Sequence, residues 1–248
     1  RPAALFEEIA RDYDVIYLGY SGDGHFDRLN NSTSAYIALG HQDTPLTRQD
    51  IAAGFLAAEF SMDFDWLRPR LSLLWSSGDT DPFDDQARGF DAIFENPQFA
   101  GGDTSFWIRQ NVPLIGGGGV AISGRNGVLP SLRSSKEQGQ SNFINPGLTL
   151  VGMGADADLT PQLRLSMNWN YLRFNAVSLL ERLRQQAPIA STLGNDLSLA
   201  LTWRPFMTQN VVFRLSAATL VTGPAFRDLY GRDTATPYSV LANLVLMY

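Results

Sequence analysis

The sequence contains no cysteine, so it has neither a disulfide framework nor a thiolate metal centre. With two histidines in 248 residues, there is little to build a His-ligated metal site or an acid–base dyad from. His25 and His41 stand apart, without a nucleophile motif beside either. The sequence also lacks any apolar run near the roughly 18 to 20 residues that a membrane-spanning helix requires. Its longest, Ile51 to Ala58, is far too short. Basic charge is in deficit, with 19 Lys and Arg against 25 Asp and Glu, which argues against a nucleic-acid partner. The opening Arg1-Pro2-Ala3-Ala4 has none of the features of an export signal. The expectation is that the signal has been removed or that the chain starts inside a longer protein.

What is present is period-two alternation. Leu163, Leu165, Met167, Trp169 and Tyr171 alternate with Arg164, Ser166, Asn168 and Asn170. Leu197, Leu199, Leu201 and Trp203 stand opposite Asp196, Ser198, Thr202 and Arg204, and Val211, Phe213, Leu215 and Ala217 opposite Arg214 and Ser216. The stretches Leu56 to Phe64, Leu67 to Asp79 and Thr149 to Leu159 follow the same rule, the last carrying Asp156 and Asp158 on its polar side. At the C-terminus Tyr238, Val240, Ala242, Leu244, Leu246 and Tyr248 share a face. Val15 to Gly24 and Ser32 to Gln42 also read as strands, with ambiguous faces. Each stretch has roughly the ten residues with which a tilted strand crosses a bilayer. Residues 2–10 and 177–186 read as short helices.

The expected fold is therefore all-β: an antiparallel transmembrane β-barrel of outer-membrane type, with about nine strands visible in one domain over 1–248. A soluble β-sandwich predicts the same alternation, so the connections must discriminate. Walking back from Tyr248, connections 221–237, 175–194 and 80–144 are long, whereas 205–210, 160–162 and 65–66 are short. The segment 43–50 is intermediate and 25–31 fairly short. Long loops at one end and short turns at the other fit an outer-membrane barrel. Trp66, Trp203 and Tyr248 fall near the short-turn end, as an interfacial girdle does. Nine strands leave an open edge that hydrocarbon does not tolerate. The missing strands are expected from an N-terminal portion rather than from another chain.

The polar face carries Arg68, Arg70, Arg164, Arg204 and Arg214. An arginine at the lipid midplane costs about 2 to 4 kcal/mol, so these residues are expected to line the lumen as a basic belt suited to anionic solutes. Glu59, Asp63, Asp156 and Asp158 lie at the same level, and cross-strand ion pairs explain the set equally well. Arg173 has outward parity near the outer rim, where it can snorkel. Asp79, Asp81, Asp84 and Asp85 concentrate carboxylates in the long loop and are weak calcium candidates. No EF-hand spacing supports them, and a solvated acidic loop is the simpler reading. Gly116 to Gly119 lacks the Lys-Ser/Thr of a phosphate loop. No cofactor and no catalytic residue is expected, and the chain reads as a non-enzyme.

The strings Asn96-Pro97-Gln98-Phe99-Ala100-Gly101-Gly102, Ser105-Phe106-Trp107, Leu129-Pro130-Ser131-Leu132-Arg133 and Phe143-Ile144-Asn145-Pro146-Gly147, with Ser21-Gly22-Asp23-Gly24-His25, resemble the C-terminal half of alginate-export-type outer-membrane porins. The resemblance implies a larger barrel of about sixteen to eighteen strands passing an anionic uronate polymer. It also implies that Arg133 and Lys136 add to the basic path. The near-balance of lumen arginines by acids departs from that picture. The expected setting is the bacterial outer membrane, in contact with lipid and lipopolysaccharide. An aromatic final residue resembles the signal such barrels present to their assembly machinery. Two functions follow: a channel for polar or anionic solutes, constricted by the 80–144 loop, or a structural sheath that scaffolds a partner protein.

Overall fold

Alternating stretches bounded by turn residues favour strands because each buries one face. The computed structural model describes residues 12–43, 47–91, 99–101, 104–105, 111–113, 119–121, 143–186, 188–206, 210–231 and 236–247. The main strands are β1 (Asp12–Phe26), β2 (Leu29–Asp43), β3 (Arg48–Met62) and β4 (Leu67–Ser76). After the long connection come β8 (Leu148–Thr160), β9 (Leu163–Phe174), β10 (Thr192–Trp203), β11 (Val211–Thr222) and β12 (Tyr238–Leu246). The connection itself holds β5 (Gln86–Ala87), β6 (Asn111–Pro113) and β7 (Gly119–Ala121). Among the described residues two helices, α1 (Val177–Arg184) and α2 (Pro224–Tyr230), sit in the connections 175–191 and 223–237.

The nine main strands form one sheet in chain order, each antiparallel to the next, with β5 added alongside β3. This is the all-β, up-and-down wall of an outer-membrane-type barrel. Among the described residues it is open, since β1 and β12 are each paired on one side only. No helix among those residues is long and apolar enough to cross a membrane.

The register resolves the two ambiguous strands. Tyr17 pairs with Ala38 and Ser21 with Ser34 on the inner face, leaving Ile16, Leu18, Ile37 and Leu39 outside. Their connection is not 25–31 but the two residues Asp27 and Arg28, with Asp27 at φ +52°. Strand β3 begins eight residues before the expected Leu56, at Arg48, because Ile51 and Ala53 face inward against Ala38, Phe90 and Phe143. Apolar residues on both faces hid the alternation there. The 44–47 connection is thus as short as the turn at 63–66. Long connections at one end hold for 77–147, 175–191 and 223–237, and not for 44–47.

The outward face is apolar and exposed: Leu71, Leu73, Trp75, Met167, Leu197, Leu199 and Leu215 lie open while their chain neighbours Ser72, Asn168, Asp196 and Ser198 are buried. Among the described residues no second sheet covers that face; the other sheet there is the small β6–β7 ribbon. Trp66 and Trp203 lie exposed near the turn end as expected, and Tyr248 falls outside the described residues.

The inner face corrects one expectation. It is most polar toward the turns, although Gln42, Gln49 and Ser76 are buried on it at the loop end. Toward the loop end it becomes a packed core of Leu148, Leu150, Leu172, Phe174, Leu193 and Leu220. An irregularity between Thr192 and Gly194 turns Leu193 inward. Leu180 of α1 and Ala225, Phe226 and Leu229 of α2 close over this patch. Helix α1 matches the predicted 177–186 segment, whereas α2 was not foreseen, although Pro224 opens it and Gly231 ends it. The expected helix at 2–10 lies outside the described residues.

Candidate functional site

The candidate site is the polar, turn-end half of the inner wall. Alternation places arginines and acids on one face, and register decides which of them meet. Arg68 stands opposite Asp156, and Arg70 opposite Gly154. The guanidinium of Arg70 nevertheless reaches diagonally to Asp156 Oδ2 at 2.7 Å. It also donates to Asn168 Oδ1 at 2.7 Å, and Asn168 in turn donates to Ser198 at 3.2 Å. One arginine therefore ties β4, β8, β9 and β10 together. Gly154 makes room for it: a Cβ there would sit 2.7 Å from Asn168 Oδ1.

Arg164 holds Asp158 in a two-pronged bridge, Nε to Oδ1 at 2.7 Å and Nη2 to Oδ2 at 2.9 Å. Arg68 pairs with Asp63, which also accepts from Asn30 Nδ2 at 2.9 Å. The Asn30 hydrogen bond, followed by that from Arg68, holds the Asp63 carboxyl below the usual carboxylate range. Cross-strand pairing thus accounts for Arg68, Arg70 and Arg164, each with its own aspartate. Arg204 and Arg214 share with Arg70, Arg164, Thr202 and Asn243 the lining of a recess of about 470 Å³, in which four arginines face Asp156.

Above this recess, residues 99–101 and 104–105 of the long connection lie across the inner wall. Among the described residues Glu59 pairs with no arginine; its Oε2 accepts from Ser72 Oγ at 2.6 Å and from the Ala100 amide at 2.9 Å. Asn170 donates to the Ala100 carbonyl at 3.1 Å, and Arg214 Nη2 to Thr104 Oγ1 at 2.9 Å. Ala100 and Gly101 take left-handed φ values of +50° and +67°. At Gly101 a side chain is impossible, because a Cβ would lie 2.2 Å from the Asn168 amide. This strap spans from β3 to β11. Its anchor Asn170 was legible as an inward position, but its role was not, since its partners Ala100 and Ser105 are more than sixty residues away.

The four loop carboxylates do not form a cation site. Asp81 pairs with Arg182 of α1 and caps the Phe83 amide, Asp84 caps the Gln86 amide, and Asp85 is exposed. No three acidic or histidine side chains among the described residues converge on a point. Asp79 is fully buried, within electrostatic reach of Asp84. Arg173 is exposed on the outward face, near the loop end. His25 and His41 do not meet: His25 is on β1 near the turn end, and His41 on β2 near the loop end. Arg133, Lys136 and residues 116–118 lie outside the described residues, while Gly119 opens β7.

No family model matches the chain, and no curated protein matches it in sequence. The resemblance to alginate-export-type porins therefore rests on its short strings alone. Among solved structures, the NanC porin in a rhombohedral crystal form is similar at a TM-score of 0.39 and 7% identity, over 97% of each chain.

Proposed function

We propose that this chain forms wall of an outer-membrane channel through which polar, preferentially anionic solutes diffuse passively. The observation that carries the reading is the sidedness of the sheet: bare leucines and tryptophans outside, ionic and amide side chains inside. Burying the outer face in lipid is favourable by about 25 cal/mol per Å² of apolar surface, and backbone pairing within the sheet suits a medium without water. The turn end is then periplasmic and the loop end extracellular. The recess, where Arg204 and Arg214 join Arg70 and Arg164, the latter two already paired with Asp156 and Asp158, supports the anion preference, and the strap over it narrows the path. Acidic polysaccharide is one solute of this class. On this reading the chain catalyses nothing. Its partners are outer-membrane lipid and lipopolysaccharide, the permeating solute, and the barrel-assembly machinery through the C-terminal strand.

The test is electrical. Purified protein in planar bilayers is expected to conduct, with a reversal potential in a salt gradient that favours anions. Arg164→Glu and Arg214→Glu are each expected to lower the anion-to-cation permeability ratio severalfold. An unchanged ratio removes the anion preference, and absence of conductance removes the channel.

A second reading, a structural sheath for a partner protein, is favoured by one observation: helices α1 and α2 pack the loop end of the inner face into a solid core. It predicts a non-conducting barrel that co-purifies with its partner.

A further inference from the structure

The root of the long connection carries a group that neither the wall nor the strap uses. Asp79 is fully buried, three residues beyond the end of β4, and no side chain among the described residues pairs with its carboxylate, which meets only the backbone amides of Arg88, Thr80 and Asp81. It sits where the outgoing and returning ends of the connection meet. The Asp79 amide donates to the Asn145 carbonyl at 2.7 Å, and the neighbouring Gly78 lies against Pro146 so closely that a Cβ would come within 2.2 Å of its carbonyl oxygen.

The same root organises the segment 77–91. The Gly89 amide donates to Phe143 at 2.7 Å, Phe90 to Ser77 at 3.0 Å, and Asp50 of β3 to Asp85 at 2.7 Å. Ala87 and Phe90 are thereby seated in the apolar cluster on the inner face of β2 and β3. From α1, Ser178 donates to the Thr80 carbonyl at 3.0 Å and Arg182 pairs with Asp81.

We propose that Asp79 is a proton-operated latch: protonated, it lets 77–91 seat on the wall as the structure shows, and ionised, it drives that segment off. A buried carboxylate that meets only the backbone amides of Arg88, Thr80 and Asp81, with no cation against it among the described residues, is costly to keep ionised and is hydrated, neutralised or expelled. Among the described residues, the charged groups around it supply no cationic partner. Within its own segment Asp84 repels it, the Arg88 side chain is exposed and bonded to Gln86, and Asp85 faces solvent. On α1, Arg182 is committed to Asp81, and Glu181 to the Ile189 amide. The returning residues 143–147 contain no titratable side chain, and the β3 contribution at Asp50 is a further acid. Burial raises the Asp79 carboxyl to about 6; the backbone amide of Arg88 works against the rise, Asp84 adds to it, and the amides of Thr80 and Asp81 oppose it. The sign follows: an acid whose seated-state pKa is raised stabilises the seated state as pH falls, and that stability is lost as pH rises through about 6.

The proposal is tested without reference to conduction, so its failure and that of the channel reading stay separate. Hydrogen exchange of the Asp50, Asp79, Gly89 and Phe90 amides is followed in the folded protein in detergent, corrected for intrinsic rates. Protection in the native chain is expected to fall about tenfold between pH 5 and pH 7.5. Asp79→Asn, neutral and isosteric, is expected to stay protected at both, and Asp84→Asn to move the midpoint to lower pH. Equal protection in the native chain at the two pH values, or a pH response that persists in Asp79→Asn, overturns the latch. Recovery of protection at pH 7.5 on adding calcium overturns it too, because the group would then be a cation ligand.

Discussion

Arg70 and Arg68 are two residues apart on one face of β4, yet they contribute differently. Arg70 and Asp156 keep about a sixth of their side-chain surface exposed, 17% each, so their attraction is weakly screened and either one alone is left poorly solvated. Arg68 and Asp63 are both well exposed, and such pairs contribute little to stability. Arg70→Ala is expected to destabilise the chain by about 3 kcal/mol in urea-titrated folding. Asp156→Ala is expected to cost a similar amount, and the double variant less than the sum. Additive losses would show that Arg70 and Asp156 do not interact. The parity of the alternation made each of these residues legible as inward-facing. Which arginine meets which aspartate was not legible. Arg68 is opposite Asp156 by register, but Arg70 takes it diagonally through the space that Gly154 leaves. Pairing of this kind depends on side-chain reach and on a missing Cβ on the adjacent strand, neither of which has a periodic signature.

The strands were readable where one face is apolar and the other polar, as in β9 and β10. Readability fell where both faces carry small or apolar residues. In β3, Ile51 and Ala53 inside and Ala52 outside erase the period, so the alternation reads as a strand only from Leu56 and residues 48–50 read as part of the 43–50 connection. Helix α2 was missed for a related reason. Seven residues show too little of a helical period, and only the Pro224 and Gly231 punctuation marked it. Its packing nevertheless gives the loop end its rigidity. Gln186 and the Ala190 amide bond to Asp228, Arg184 donates to the Leu229 carbonyl at 2.6 Å, and Phe226 is buried against Tyr230. Phe226→Ala removes a side chain that is 3% exposed and is expected to cost about 3 to 5 kcal/mol of local stability. Exchange protection at Arg227 and Gly231 should fall while that of the β9–β10 ladder holds. Equal loss in both would mean that cap and wall unfold as one unit.

For the whole molecule, the fold follows from which side of one sheet meets which solvent. Connection lengths indicated this in advance for the C-terminal half and less well for the N-terminal half, where β3 extends into the supposed loop. The structure leaves the outward face bare across the sheet, so the decisive variable is the medium that face meets. Leu199 points outward from the middle of β10 and is 48% exposed, while Ser166 on β9 points inward, opposite Asp156. In lipid vesicles Leu199→Arg is expected to cost about 2 to 4 kcal/mol of folding free energy, the depth-dependent cost of a cation in hydrocarbon. Ser166→Arg should cost far less, because it enters a polar interior beside a carboxylate. A protein whose leucine face met water would reverse the order. There Leu199→Arg would change little, as exposed substitutions generally do, and the crowded inner position would suffer. Folding titrations of the two variants in vesicles therefore test the membrane assignment directly, and a smaller loss for Leu199→Arg than for Ser166→Arg would end it.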